Sequence, residues 1–214
     1  MTDRRQLLID GLEAMGLPPS SAQIQALLDY ADALLRWNKV YNLTAIENEQ
    51  SVLTHHILDS ASLIPYLREV APHAQSLLDV GSGGGLPSIP TALFCPDLKV
   101  SAVDAVQKKV AFLTQMGIQL RLRNYQAIHQ RVEKLQQTYD VVTCRAFASL
   151  KNFTTWTYDC LKEDGLWIAM KGVIPEDEIA QLDPQQVKVE SIVPINVPQL
   201  NEERHFILMR KAKG

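Results

Sequence analysis

The chain has 214 residues, 46% hydrophobic and 21% charged, with a net charge of −3. On a prior of roughly 150 residues per domain this is one large domain or one with an appendage, and the composition excludes a disordered tail, a collagen-like fibre and a coiled-coil rod. No stretch approaches the roughly 18 uncharged apolar residues of a membrane span.

The opening segment sets acids among its apolar residues and lacks the apolar run of a secretion signal, so the expected address is the cytoplasm. Leu7, Leu8, Leu12 and Met15 predict a short helix that stops near Gly16 and Pro18. Ser20 with Gln23 is a capping-box pattern. It opens a second helix whose apolar stripe runs through Ile24, Leu27, Leu28, Ala31, Leu34 and Leu35. A third helix is expected from Ser51 to Ile64, ahead of Pro65.

From residue 76 the pattern changes. Apolar runs at 77–80, 100–105, 141–144 and 166–170 predict strands, with a weaker one near 126–129. Helical segments lie between them, such as 108–116 with Val110, Phe112, Leu113 and Met116 apolar. Such alternation implies right-handed βαβ units and a parallel sheet. Residues 187–197 and 204–210 are strand-like runs with no helix between them, so an antiparallel hairpin is expected at one edge. The expected fold is α/β: a helical extension, 1–70, packed on a Rossmann-like core, 71–214, of the kind class I methyltransferases use.

Asp79-Val80-Gly81-Ser82-Gly83-Gly84-Gly85-Leu86-Pro87 follows the first of these strands. Glycine lets the chain turn sharply and lets a ligand approach the backbone. A dinucleotide fingerprint needs a third glycine at position 86, which is leucine, and no Gly-Lys-Ser/Thr follows to make a P-loop. The carboxylate of Asp79, two residues before Gly81, suits a ligand with a cationic amino group, as S-adenosylmethionine has. Asp104 ends the second strand, 19 residues after Gly85, where an acid accepts from ribose hydroxyls. That serves NAD and S-adenosylmethionine alike.

Glu133 has two readings, an acceptor for an adenine amino group beside Val132 or an ordinary acid at a helix start. Arg145, ending the fourth strand, would hold a cofactor carboxylate or an RNA phosphate, or form a salt bridge. Lys171 is a second cation expected to overlook the same edge, and both are positioning candidates rather than bases. His55-His56-Ile57-Leu58-Asp59-Ser60 reads as a hydrogen-bond cluster tying the helices to the sheet, since no nucleophile elbow occurs. Cys95, Cys144 and Cys160 stand far apart, the usage of a reducing compartment, and no metal site is expected.

Charge is uneven. Residues 1–60 carry 4 basic and 8 acidic side chains, whereas the last eleven, RHFILMRKAKG, carry four basic and none acidic. Arg121, Arg123 and the 204–213 cluster are the candidate phosphate contacts.

Several segments together resemble one family. Trp37-Asn38 with Tyr41-Asn42-Leu43-Thr44, His56-Ile57-Leu58-Asp59-Ser60, the Asp79–Pro90 loop, Arg131-Val132-Glu133, Cys144-Arg145-Ala146 and Lys171-Gly172 resemble, in order, the RsmG family (glucose-inhibited division protein B). The resemblance implies transfer of a methyl group from S-adenosylmethionine to guanine N7 in 16S rRNA. The expected substrate is the small ribosomal subunit particle and the expected assembly a monomer away from membranes. It further implies that Gly81 and Leu86 contact the cofactor in the loop, that Val132 and Glu133 contact its adenine, and that Arg145 closes the pocket of the fourth strand. Gly83, Asp104 and Asp79 complete the expected cofactor set. The sequence departs at Ser88, where glycine is usual, and at Cys144 and Ala105, where serine is. The alternatives are a methyltransferase on another RNA or a small molecule, a dehydrogenase, and a non-catalytic rRNA-binding assembly protein. A dehydrogenase is disfavoured by Asp79 and Leu86.

Overall fold

The computed structural model describes residues 3–44 and 48–212. Helix α1 (Arg4–Ala14) is followed by α2 (Ser21–Tyr41). The capping box is present: Ser20 Oγ accepts from the Gln23 backbone N–H at 3.2 Å, and the Gln23 side chain accepts from Ser20 N–H at 2.9 Å. The buried stripe of α2 is Ile24, Leu27, Ala31 and Leu34, joined by a fully buried Tyr30.

A helical run then covers α3 (Glu49–Ser51), a π-helical stretch (Val52–Leu58), α4 (Asp59–Ala61) and α5 (Leu63–Val70). The expected stop before Pro65 is therefore corrected. Pro65 is the third residue of α5, within the first turn, where a helix has backbone N–H groups without intrahelical partners. The missing donor costs nothing there.

Among the described residues seven strands form one sheet in the order β3-β2-β1-β4-β5-β7-β6. These are β1 (Ser76–Val80), β2 (Lys99–Asp104), β3 (Tyr125–His129), β4 (Tyr139–Arg145), β5 (Leu161–Lys171), β6 (Val187–Pro194) and β7 (His205–Lys211). The first five in that order are parallel, and β7 lies antiparallel between β5 and β6. Helices α6 (Ser88–Phe94), α7 (Gln107–Gln119), α8 (Leu150–Trp156) and α9 (Glu176–Ala180) lie between strands. Parallel strands bring their C-terminal residues, Val80, Asp104, His129, Arg145 and Lys171, to one edge.

The expected strand 187–197 ends at Pro194. Val197 and Leu200 leave the sheet and join the apolar cluster of α1 and α2, and the Gln199 amide donates to the Leu7 carbonyl at 3.0 Å. That cluster also holds Leu86, Ile89, Phe112 and Leu113, so helices and sheet share a core. A second cluster, around Phe153 and Trp167, covers the other face. No helix among the described residues is long and apolar enough to cross a membrane.

Candidate active site

Strand β1 delivers Asp79 to the start of the glycine loop, but the side chain is fully buried behind it. Its Oδ2 accepts from Ser82 Oγ and from the Ser88 backbone N–H at 3.2 Å, while Oδ1 has no partner. Burial raises this carboxyl to about 6 against the hydrogen bonds from Ser82 and Ser88. Asp79 therefore shapes the loop from within. Ser88, the residue that replaces a usual glycine, supplies one of those bonds. Tyr30, missed in the sequence because it sits inside an apolar stripe, donates its hydroxyl to the Gly84 carbonyl at 2.6 Å. Burial raises its phenol, so it remains a donor and ties α2 to the loop.

In front of the loop is a depression of about 410 Å³. It is lined by Gly81, Asp104, Arg131, Val132, Glu133, Ala146, Phe147 and Trp156, among others. Asp104 accepts from the Gly83 N–H at 3.0 Å and the Val106 N–H at 2.8 Å, which fixes the loop against β2. Glu133 is exposed on a single 3-10 turn, Val132–Lys134. Phe147 and Trp156 meet edge to face at 5.9 Å.

Gly83 has φ +56°, and a Cβ there would meet only the Gly81 carbonyl oxygen, at 3.7 Å. The backbone at Gly83 thus faces open space. Leu86 is only 6% exposed, packs into the helix cluster and does not line the depression. The volume, the open backbone at Gly83, the carboxylates at Asp104 and Glu133 and the aromatic wall together fit an adenosine-bearing ligand.

A second depression, of about 490 Å³, adjoins the first at Ala146. Ala146 has φ +50°, a left-handed conformation that costs an L-residue roughly 1–2 kcal/mol. The walls are His55, His56, Asp59, Arg145, Met170, Lys171, Gly172, Glu202, Arg204, His205 and Phe206, and their polar contacts matter one by one.

Of the readings open for Arg145, the structure shows the salt bridge. Its NH1 donates to the His55 carbonyl and to Asp59, both at 2.8 Å, and NH2 donates to His56 Nδ1 at 3.0 Å. Asp59, whose side chain is 5% exposed, accepts a second arginine, Arg204, at 2.9 Å. The salt-bridge reading holds because Asp59, on α4, reaches the C-terminal end of β4. Arginine can only donate, so His56 Nδ1 is the acceptor and its Nε2–H donates to Thr44 Oγ1. Burial first, then Arg145, push the His56 imidazolium down to about 3. The expected hydrogen-bond cluster of the 55–60 segment is present.

Lys171 lines the second depression, but its ammonium is paired with Glu178 at 2.9 and 3.0 Å and donates to the Ala148 carbonyl at 3.3 Å. It clamps β5 to α9 rather than standing free over the edge.

The basic C-terminal cluster is likewise corrected. Arg204 is bound to Asp59 and Glu202. Arg210 donates to the Asp164 and Gly165 carbonyls. Lys211 pairs with Glu163 at 3.6 Å and lies over the Tyr158 ring. Lys213 lies outside the described residues. Arg121 and Arg123 are exposed, with no ion pair among the described residues. Cys144 and Cys160 are buried and Cys95 half-buried, and burial raises all three thiols. Sequence reasoning missed Tyr30, Glu178, Glu202 and His205, because each acquires its role from an element distant in sequence.

Comparison with known proteins agrees with this geometry. The sequence profile of the GidB family, "rRNA small subunit methyltransferase G", matches residues 23–207. The chain is 48% identical over 218 aligned positions to ribosomal RNA small subunit methyltransferase G of Acidovorax sp. (strain JS42), covering 98% of this chain and 96% of that one. It is 46% identical over 210 positions to the protein of the same name from Neisseria meningitidis serogroup B, covering 98% and 99%. Among solved structures it resembles magnesium protoporphyrin IX methyltransferase from Synechocystis PCC 6803 with bound S-adenosylmethionine, with a TM-score of 0.62, 15% identity and 98% coverage of both chains. The ribosomal protein L11 methylase of Lactobacillus delbrueckii subsp. bulgaricus gives a TM-score of 0.58 at 14% identity, over 78% and 81%. At those identities the structures report the shared fold.

Proposed function

The chain belongs to the GidB family of rRNA small subunit methyltransferases G, and from that premise we propose that it methylates N7 of a guanine in 16S rRNA, using S-adenosylmethionine. The observation that carries the reading is the pair of depressions joined at Ala146, one suited to adenosine and one beside it at the ends of β4, β5 and β7. When bound, the cofactor supplies an electrophilic methyl group. The chain supplies placement. Gly83 leaves room along the backbone, Gly81 lets the Phe147 ring pack against the loop, Asp104 and Glu133 accept from the ribose and the adenine amino group, and Val132 packs against the ring. Asp79 and Leu86 act from behind the loop by fixing its shape. Arg145 and Lys171 hold the rim through Asp59 and Glu178.

Guanine N7 carries an in-plane lone pair and no proton, so it is an acceptor in its neutral state. No base is needed to expose it. The His56 imidazole, neutral and hydrogen-bonded at both nitrogens, fits a structural role. Catalysis then rests on orientation, worth up to roughly 7–11 kcal/mol in favourable cases. The guanine must be unstacked to enter such a depression. The substrate is the rRNA of a small-subunit particle in the cytoplasm, and the enzyme acts as a monomer.

The test is mass spectrometry of 16S rRNA from cells lacking the protein, with and without the wild-type chain restored. One N7-methylguanosine should vanish and return. Its persistence without the protein would refute the proposal.

A further inference from the structure

We propose that the depression between β4, β5 and the 202–206 turn is the guanine pocket, and that Glu202 and His205 read the base by accepting hydrogen bonds from N1–H and the N2 amino group. The inference rests on the activity proposed above and assigns the base-reading residues of that same site.

Position comes first. The depression adjoins the adenosine-suited one only along the β4 end, where Ala146 lines both. A methyl group passing between a cofactor and a base must cross that seam. A guanine presenting N7 there turns its opposite, Watson–Crick edge to the far wall. Flipped bases are commonly read on that edge.

The far wall offers acceptors. Glu202 Oε1 is 3.2 Å from His55 Nε2 and Oε2 takes Arg204 NH2 at 3.0 Å. A carboxylate has about four lone-pair sites, so two protein donors leave capacity for a ligand. Those same two donors aim the group and keep its carboxyl below the usual range, so it is an acceptor at neutral pH.

His205 is oriented from behind. The Gly172 carbonyl lies 2.6 Å from Nδ1, which must therefore carry the proton. In the neutral ring Nε2 is then an unprotonated acceptor. It has no protein partner among the described residues, and it is not among their buried atoms left unsatisfied, so ligand or solvent reaches it. Of the four RNA bases, only guanine presents two neighbouring N–H donors on its pairing edge, which is the complement of two acceptors. A site built to hydrogen-bond a group rejects the analogue that lacks it. Met170 and Phe206 are apolar, and the other polar walls are engaged within the protein: Asp59 by Arg145 and Arg204, His55 by Thr54 and Glu202, His56 by Thr44 and Arg145, and Lys171 by Glu178.

The test uses the full chain and small subunits reconstituted with 16S rRNA carrying either guanosine or inosine at the modified position. Inosine keeps N7, O6 and N1–H and lacks the N2 amino group. Single-turnover methylation by the wild type should fall about 10- to 100-fold with inosine, the effect expected for a hydrogen bond to a charged group. Glu202→Gln should slow guanosine by a similar factor and lose most of its discrimination against inosine. His205→Asn keeps a donor for the Gly172 carbonyl and loses Nε2, so it should lower kcat/KM on guanosine with little change in Tm. In both variants the calorimetric affinity for S-adenosylmethionine should stay within about twofold of wild type, because the cofactor lies on the other side of Ala146. Wild-type rates and wild-type discrimination in both variants would overturn the assignment of these residues. A wild-type enzyme that leaves the guanosine particle unmethylated would refute the underlying activity, and the pocket with it.

Discussion

Replacing Arg145 by alanine should cost folding stability before it costs chemistry. The guanidinium makes three charge-assisted bonds, to the His55 carbonyl, Asp59 and His56 Nδ1. Its side chain is 17% exposed and that of Asp59 is 5%, so the pair is shielded from solvent. Removing one member of a buried pair typically costs about 3–5 kcal/mol. Arg204 still faces Asp59, which places the expected loss near the lower end, about 3 kcal/mol. For a chain of this size each kcal/mol shifts Tm by roughly 2–4 °C, so calorimetry should show a fall of roughly 6–12 °C. Asp59→Ala should cost more, because it strands two arginines. The double variant should be less destabilised than the sum of the singles, by about 0.5–3 kcal/mol. Arg145→Lys should recover only part of the loss, since one ammonium cannot match three acceptors set by a planar fork. Methylation measured well below the variant's Tm should retain most of the wild-type rate. A variant that melts within about 2 °C of wild type yet has lost turnover would refute this account and return Arg145 to direct contact with the ligands.

Three further outcomes follow from the same geometry. Gly83→Val should abolish cofactor binding by calorimetry and lower Tm, because a β-branched residue is strained at φ +56° even though its Cβ meets no wall, whereas Gly85→Ala should melt early, since φ is +88° and its Cβ would overlap Ile89. On acidification, His56 has a folded value of about 3, below its ordinary 6.5; its contribution is present above pH 6.5 and is lost as the unfolded chain takes up a proton, at a limiting slope of about 1.4 kcal/mol per pH unit. Asp79 acts in the opposite sense, its contribution present below 3.8 and lost as pH rises through about 6, so urea titrations of Asp79→Asn should show a steeper acid decline than wild type. Finally, Arg121→Ala with Arg123→Ala should flatten the salt dependence of particle binding, by up to about 1.4 in the log–log slope for two contacts to single-stranded phosphates; an unchanged slope would exclude this surface.

Much of the fold was legible because local rules and tertiary packing agree. The capping box at Ser20, the stripe of α2 and the apolar runs of the parallel strands all mark elements that the structure keeps, although β5 starts at Leu161, five residues before its apolar run. Two boundaries were not legible for a specific reason. Pro65 reads as a stop only if the helix it meets is continuous, and the preceding π-helical stretch and α4 make it the first turn of a new one. The strand ending at Pro194 is cut short by Val197 and Leu200, whose burial depends on α1 and α2. At the site, the loop and the acid at Asp104 were visible from spacing. The partners of the cations were not, since Asp59 and Arg145 stand 86 residues apart, and Asp59 and Arg204 145 apart.

Those partners change what the basic residues mean. Arg145, Lys171 and Arg204 look like an anion-binding rim when read along the chain. Each is instead matched with a carboxylate from another element: Asp59 for the two arginines, Glu178 for the lysine. An internally paired cation projects a weak field but holds its neighbours firmly. The rim of the second depression is therefore built for shape, and its recognition groups are the acceptors at Glu202 and His205 rather than the positive charges. Long-range attraction to rRNA must come from cations left unpaired, such as Arg121 and Arg123, on the surface at the start of β3. Attraction and base selection are thus assigned to different residues, which is how a chain of net charge −3 can approach a polyanion and still present acceptors to the base it selects.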